Sequence, residues 1–72
     1  MPSMALRNRE LFIATFEDQG FSERGVAGSA GLSHSTVNHL VTGRRQYCSL
    51  ARARALEKAL RAETGSLFVE VT

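Results

Sequence analysis

Apolar residues recur at helical spacing along most of this chain, in blocks separated by short polar breaks. In the first block Leu6, Ile13 and Phe16 mark one face, widened by Leu11 and Phe12, and predict a helix over residues 3–18. Ser3 is its candidate cap, and Gly20 ends it as a glycine just past the last turn. Phe21 follows as a core plug, and Ser22 caps a second helix running to Ala30, with Val26, Ala27 and Ala30 on one face. Gly25 and Gly28 lie inside it, each costing about 1 kcal/mol relative to Ala, so packing must hold it. Val37, Leu40 and Val41 recur at i, i+3 and i+4 and predict a third helix over residues 33–42, capped by Ser33 and stopped by Gly43. Residues 44–48 read as a loop. Ser49 caps a fourth helix through residue 63, with Leu50, Ala53, Leu56 and Leu60 on its stripe and Thr64-Gly65-Ser66 at its end. The branched and aromatic residues of LFVEVT, residues 67–72, favour an extended tail.

The break between the second and third helices carries the chemistry. Gly31 falls where the chain must turn sharply, a position suited to a left-handed backbone that glycine adopts at little cost. Leu32 fills the gap beneath the turn. Two short helices meeting at such a corner, residues 23–42, form a helix-turn-helix, a unit that places its second helix in the major groove of DNA. The third helix turns His34, Ser35, Asn38 and His39 away from its apolar stripe. These polar side chains donate or accept at base edges; Asn pairs bidentately with adenine, and a neutral His both donates and accepts.

The stretch ERGVAGSAGLSHSTVNHLV, residues 23–41, resembles the Cro and phage-repressor type of helix-turn-helix domain. With Glu23 as first position, Ala27, Gly31, Leu32, Val37 and Leu40 fall where that motif has its alanine, its glycine, the apolar residue after it and two branched apolar residues. Gly20-Phe21-Ser22 resembles the family's approach to its second helix, and Gly43-Arg44-Arg45 the glycine-plus-basic loop after its recognition helix. The resemblance implies base contacts from His34, Ser35, Asn38 and His39. It also implies phosphate contacts from Arg44 and Arg45, joined by Gln46, Tyr47 and Ser49; arginine suits phosphate through its planar fork of donors. Ser33, Thr36 and Arg52 complete the expected phosphate set, because helix starts bind phosphate readily. The chain departs from the family at its first motif position: the usual glutamine touches phosphate, whereas Glu23 would repel it, leaving Arg24 as the replacement on charge grounds. The implied fold is all-α, a compact four- to five-helix lambda-repressor-like bundle with a short extended C-terminal tail.

At 72 residues there is room for one domain, residues 1–72. The net charge is only +2, but its distribution is uneven. Six basic residues and one acid, Glu57, fall within residues 44–61, while residues 1–23 hold Arg7 and Arg9 against Glu10, Glu17, Asp18 and Glu23. Such polarity suits a polyanion meeting one face. Arg52 and Arg54 stand near the start of the fourth helix, where cations oppose the helix dipole unless an anion is present. The lone Cys48 makes no intrachain disulfide, no apolar run is long enough to span a bilayer, and MPSMALRNRE lacks a signal peptide's apolar core. These features predict a cytoplasmic protein, and the resemblance to phage repressors implies a bacterial host cell. His34 and His39 are not spaced as an i, i+4 metal pair, and no glycine-rich phosphate loop or nucleophile–base order is present, so neither an enzyme nor a cofactor is expected.

The expected function is sequence-specific binding of a double-stranded DNA operator by a Cro-like transcriptional repressor of a phage or prophage. The alternatives are a protein-binding antitoxin or anti-repressor, and a phage recombination directionality factor, on the same fold. A homodimer through Leu67, Phe68, Val69 and Val71 would match two half-sites one helical turn apart, with Phe68 inserted into the partner; the alternative is that Leu67 and Phe68 fold back to close their own core.

Overall fold

The computed structural model describes residues 3–71; Met1, Pro2 and Thr72, the last of these within the predicted extended tail, lie outside the described residues. The chain folds as β1 (Ser3–Leu6), α1 (Arg9–Asp18), α2 (Glu23–Ala30), α3 (His34–Thr42), β2 (Tyr47–Ser49), α4 (Leu50–Ala59) and β3 (Phe68–Glu70). The architecture is therefore α+β, which corrects the all-α expectation.

A three-stranded antiparallel sheet, in the order β2–β1–β3, joins the two ends of the chain. The centre strand pairs Ser3 with Ser49, Met4 with Cys48 and Ala5 with Tyr47 on one side, and Met4 with Glu70, Ala5 with Val69 and Leu6 with Phe68 on the other. The first predicted helix thus splits. Residues 3–6 satisfy their backbone groups against two neighbours, and α1 starts only at Arg9, capped by Asn8 accepting from the Leu11 N–H at 3.0 Å. Ser3 is a strand residue and not a cap, and Leu6 belongs to β1 and not to the helix face. Leu11, assigned to that apolar face, is 48% exposed. Residues of weak strand propensity form β1 because partners on both sides outweigh propensity.

The other boundaries of the helix-turn-helix follow their capping residues. Ser22, Ser33 and Ser49 accept from the N–H groups of Gly25, Thr36 and Arg52 at 3.1, 3.2 and 3.2 Å. Gly31 takes φ +70 and Gly43 φ +79, and the Leu32 N–H reaches back to the Ala27 carbonyl at 2.9 Å to close α2. α4 is shorter than expected. It ends at Ala59, with Arg61 in the left-handed region (φ 56) and the Ala62 N–H bonded to the Glu57 carbonyl at 2.8 Å. That is the helix-ending geometry usually supplied by glycine, built on an arginine. Leu50, assigned to the apolar stripe of α4, is 38% exposed.

The core brings Phe12, Phe16, Val26, Ala27, Val37, Leu40, Ala53 and Leu56 from the helices, with Leu60 just past α4, against Met4, Cys48, Leu67 and Phe68. Phe12 is its aromatic centre, edge-on to Phe16 at 5.5 Å and to Phe68 at 6.1 Å. Insertion of Phe68 into a partner is corrected here: the ring is 1% exposed and closes its own core. Leu67 is buried beside it, while Val69 and Val71 stay exposed on the outer strand and just after it. Among the described residues, no helix is long and apolar enough to cross a membrane.

Candidate nucleic-acid interface

The packing of α2 against α3 and α4 positions the polar face of α3. Val37 and Leu40 are buried, which leaves His34 and Ser35 exposed and Asn38 and His39 half-buried outside the core. All four predicted base-contact residues therefore lie on one helix outside the core. They differ in freedom. Asn38 Nδ2 donates to Glu23 Oε1 at 2.9 Å, and His34 Nε2 lies 3.5 Å from the same oxygen. Ser35 is exposed, and the His39 carbonyl accepts from the Arg45 N–H at 3.0 Å, tethering the following loop to the helix end.

Three predicted phosphate contacts have hydroxyls already in use. Ser33 Oγ caps α3 and lies 2.8 Å from Thr36 Oγ1, and Ser49 Oγ caps α4 while its backbone sits in β2. A capping oxygen accepts and leaves its O–H as a donor. Arg24, Arg44, Arg45, Gln46, Tyr47 and Arg52 are all exposed, and Tyr47 lies at the start of β2 and not in an open loop. Arg54 proves to be a structural residue. Its Nη1 donates to the buried Glu57 carboxylate at 2.7 Å, so an internal anion accounts for its position near the start of α4.

Two participants were missed in the sequence. Arg9, at the start of α1, reaches the C-terminal end of α3: a Cβ placed on Gly43 would meet its Nη2 at 2.5 Å. Arg9 also lines a groove with Leu6, Leu40, Arg45, Gln46 and Tyr47. A guanidinium at a helix C-terminus interacts favourably with the dipole there. No local pattern marks Arg9, because its neighbours in this cluster come from the other end of the helix-turn-helix. The second is Glu23, read from the sequence as a misplaced charge; it is the hydrogen-bond partner of Asn38, and a carboxylate standing where glutamine was expected was the signal that it had a different task.

Electrostatics around β2 agree with this grouping. Burial pushes the Cys48 thiol up, while Arg52 and Arg45 pull against it and Glu57 adds to the rise. Arg45 and Arg52 are thus both near Cys48, and Arg45 also lines the groove with Arg9. The arrangement offers a polar helix face flanked at its C-terminal end by a basic cluster, side chains of the kinds that can meet base edges and phosphates. Comparison with protein families, with characterised proteins and with solved structures returned no significant match to this chain.

Proposed function

We propose that this chain binds double-stranded DNA sequence-specifically, as a Cro-like transcriptional repressor of a phage or prophage working in the cytoplasm of a bacterial host. The observation that carries this reading is the exposed polar face of α3, adjoined by Arg9, Arg44 and Arg45 at its C-terminal end. α3 lies in the major groove, where Ser35, Asn38, His34 and His39 meet base edges. Arg44, Arg45 and Gln46 hold phosphate, and Arg9 joins them from α1. Tyr47, Arg52, the Ser49 O–H and the one O–H of the Ser33–Thr36 pair not spent between them extend the phosphate contacts, with Arg24 at the start of α2. Repression follows from occupying an operator that polymerase needs. Two copies, paired along β3, cover two half-sites about 34 Å apart.

Selection of bound sequences from random duplexes tests this directly. The intact protein should enrich one motif, and its affinity should fall steeply with salt as counterions are released. Arg44→Ala and Arg9→Ala should each weaken binding evenly across sequences and lower the salt slope by about 1. No enrichment by the intact protein would sink the reading, and salt-insensitive capture of a protein would favour the protein-binding alternative.

A further inference from the structure

Asn38 is tied to α2 by a group whose chemistry leaves it little choice of orientation. Glu23 opens α2, its side chain is 30% exposed, and its Oε1 receives Asn38 Nδ2 at 2.9 Å. An ionised carboxylate only accepts hydrogen bonds. It takes an N–H of the Asn38 amide and repels the amide oxygen, so the reversed orientation would set Oδ1 against Oε1. His34 Nε2, one helical turn before Asn38 on α3, lies 3.5 Å from the same Oε1. With one Nδ2 hydrogen committed, Asn38 keeps the second Nδ2–H and Oδ1, a donor beside an acceptor in one order. That pair complements N7 and N6 of adenine in the major groove.

We propose, resting on the DNA-binding reading above, that Glu23 is a positioning residue that sets the base preference of Asn38 by locking its amide for adenine. Glu23 does not touch the base. Glutamine in its place would donate or accept equally well and would hold the Asn38 amide in either orientation. The carboxylate at a position where glutamine would serve a phosphate exchanges a backbone contact for control over one base pair.

The experiment compares the intact protein with Glu23→Gln and Asn38→Ala in the same duplex selection, and follows the Asn38 side-chain amide by ¹⁵N–¹H NMR without DNA. Asn38→Ala should erase an adenine preference at one position of the half-site. Glu23→Gln should reduce that preference by about tenfold, within the range of a bidentate base contact, and leave the other positions and the melting temperature unchanged. In the free intact protein the two Asn38 amide protons should be separated more widely than those of a solvent-exposed asparagine, because one of them is bonded to a carboxylate, and Glu23→Gln should narrow the separation toward that of an exposed amide. An undiminished adenine preference in Glu23→Gln, or an even loss across all positions, overturns the role. A separation in the intact protein no wider than that of an exposed asparagine overturns it as well. If the intact protein selects no sequence, the functional reading falls and the role with it, and the NMR result then separates a wrong contact from a wrong function.

Discussion

Glu57 is the acid that this basic segment requires. Its side chain is buried, and it accepts from Arg54 Nη1 at 2.7 Å and from the backbone N–H groups of Gly65, Leu67 and Phe68 at 3.0, 3.1 and 3.2 Å. One carboxylate therefore closes the turn after α4 and starts β3. Burial pushes its carboxyl up, but the Arg54 guanidinium and the backbone donors outweigh burial and hold it below its ordinary value. The folded carboxyl stays ionised at pH values where the unfolded one has taken up a proton. Its contribution is complete above about pH 4.5 and is lost as pH falls through the lowered folded value. Glu57→Gln should cost about 3 kcal/mol at pH 7, since it breaks a buried charged pair and weakens backbone bonds. The cost should shrink at pH 3; urea unfolding at both pH values checks this, and equal losses would contradict the role of the charge. From the sequence Glu57 was visible only as an isolated acid among bases. Apart from Arg54, its donors are backbone groups of the turn after α4 and of β3, and backbone groups leave no mark in a residue pattern.

At the scale of elements, α2 is the weakest helix and its two glycines are not equivalent. A Cβ at Gly28 would meet nothing within 4 Å, whereas one at Gly25 would come 3.2 Å from Phe21 Cδ1. Gly28→Ala should therefore raise stability by about 1 kcal/mol, the full propensity gain. Gly25→Ala should gain less, because Phe21 must shift. Thermal unfolding of the two variants decides, and equal gains would show that Phe21 moves freely. The helix boundaries teach a related lesson. Gly20, Gly31 and Gly43 all have positive φ just past α1, α2 and α3, and those ends were legible because glycine marks them. The end of α4 was not, because Arg61 takes the same left-handed conformation. An arginine carries no such signal, so the apolar spacing ran the expected helix on to residue 63. β1 escaped for the opposite reason. Its four residues fit the apolar spacing of the helix that follows, and only partners remote in sequence make them a strand.

At the scale of the whole molecule, the sheet decides how a second copy would join. Val69 and Val71 are 36% and 44% exposed at the β3 side, while Leu67 and Phe68 are committed to the core. Removing residues 67–72 would therefore unfold the chain and test nothing about pairing. Val69→Lys combined with Val71→Lys leaves the core intact and places like charges on the pairing edge, a recognised means of blocking edge-to-edge association. Sedimentation should find the intact protein as a dimer and the double variant as a monomer that binds a two-half-site operator at least tenfold more weakly. An intact protein that stays monomeric at all concentrations and on DNA would remove the β3 pairing.

Local chemistry alone determined the corner of the molecule: capping serines, glycines at the turns and an apolar stripe at helical spacing define α2, α3 and the outward set His34, Ser35, Asn38 and His39. These features act within a few residues, so a linear pattern carries them. The α+β architecture, the burial of Phe68, the reach of Arg9 to Gly43 and the bond from Asn38 to Glu23 came only from tertiary structure. Each depends on groups brought together across the fold, and each is stable because a partner far along the chain offers what the local sequence lacks: a neighbouring strand, an aromatic face, a helix end or a carboxylate.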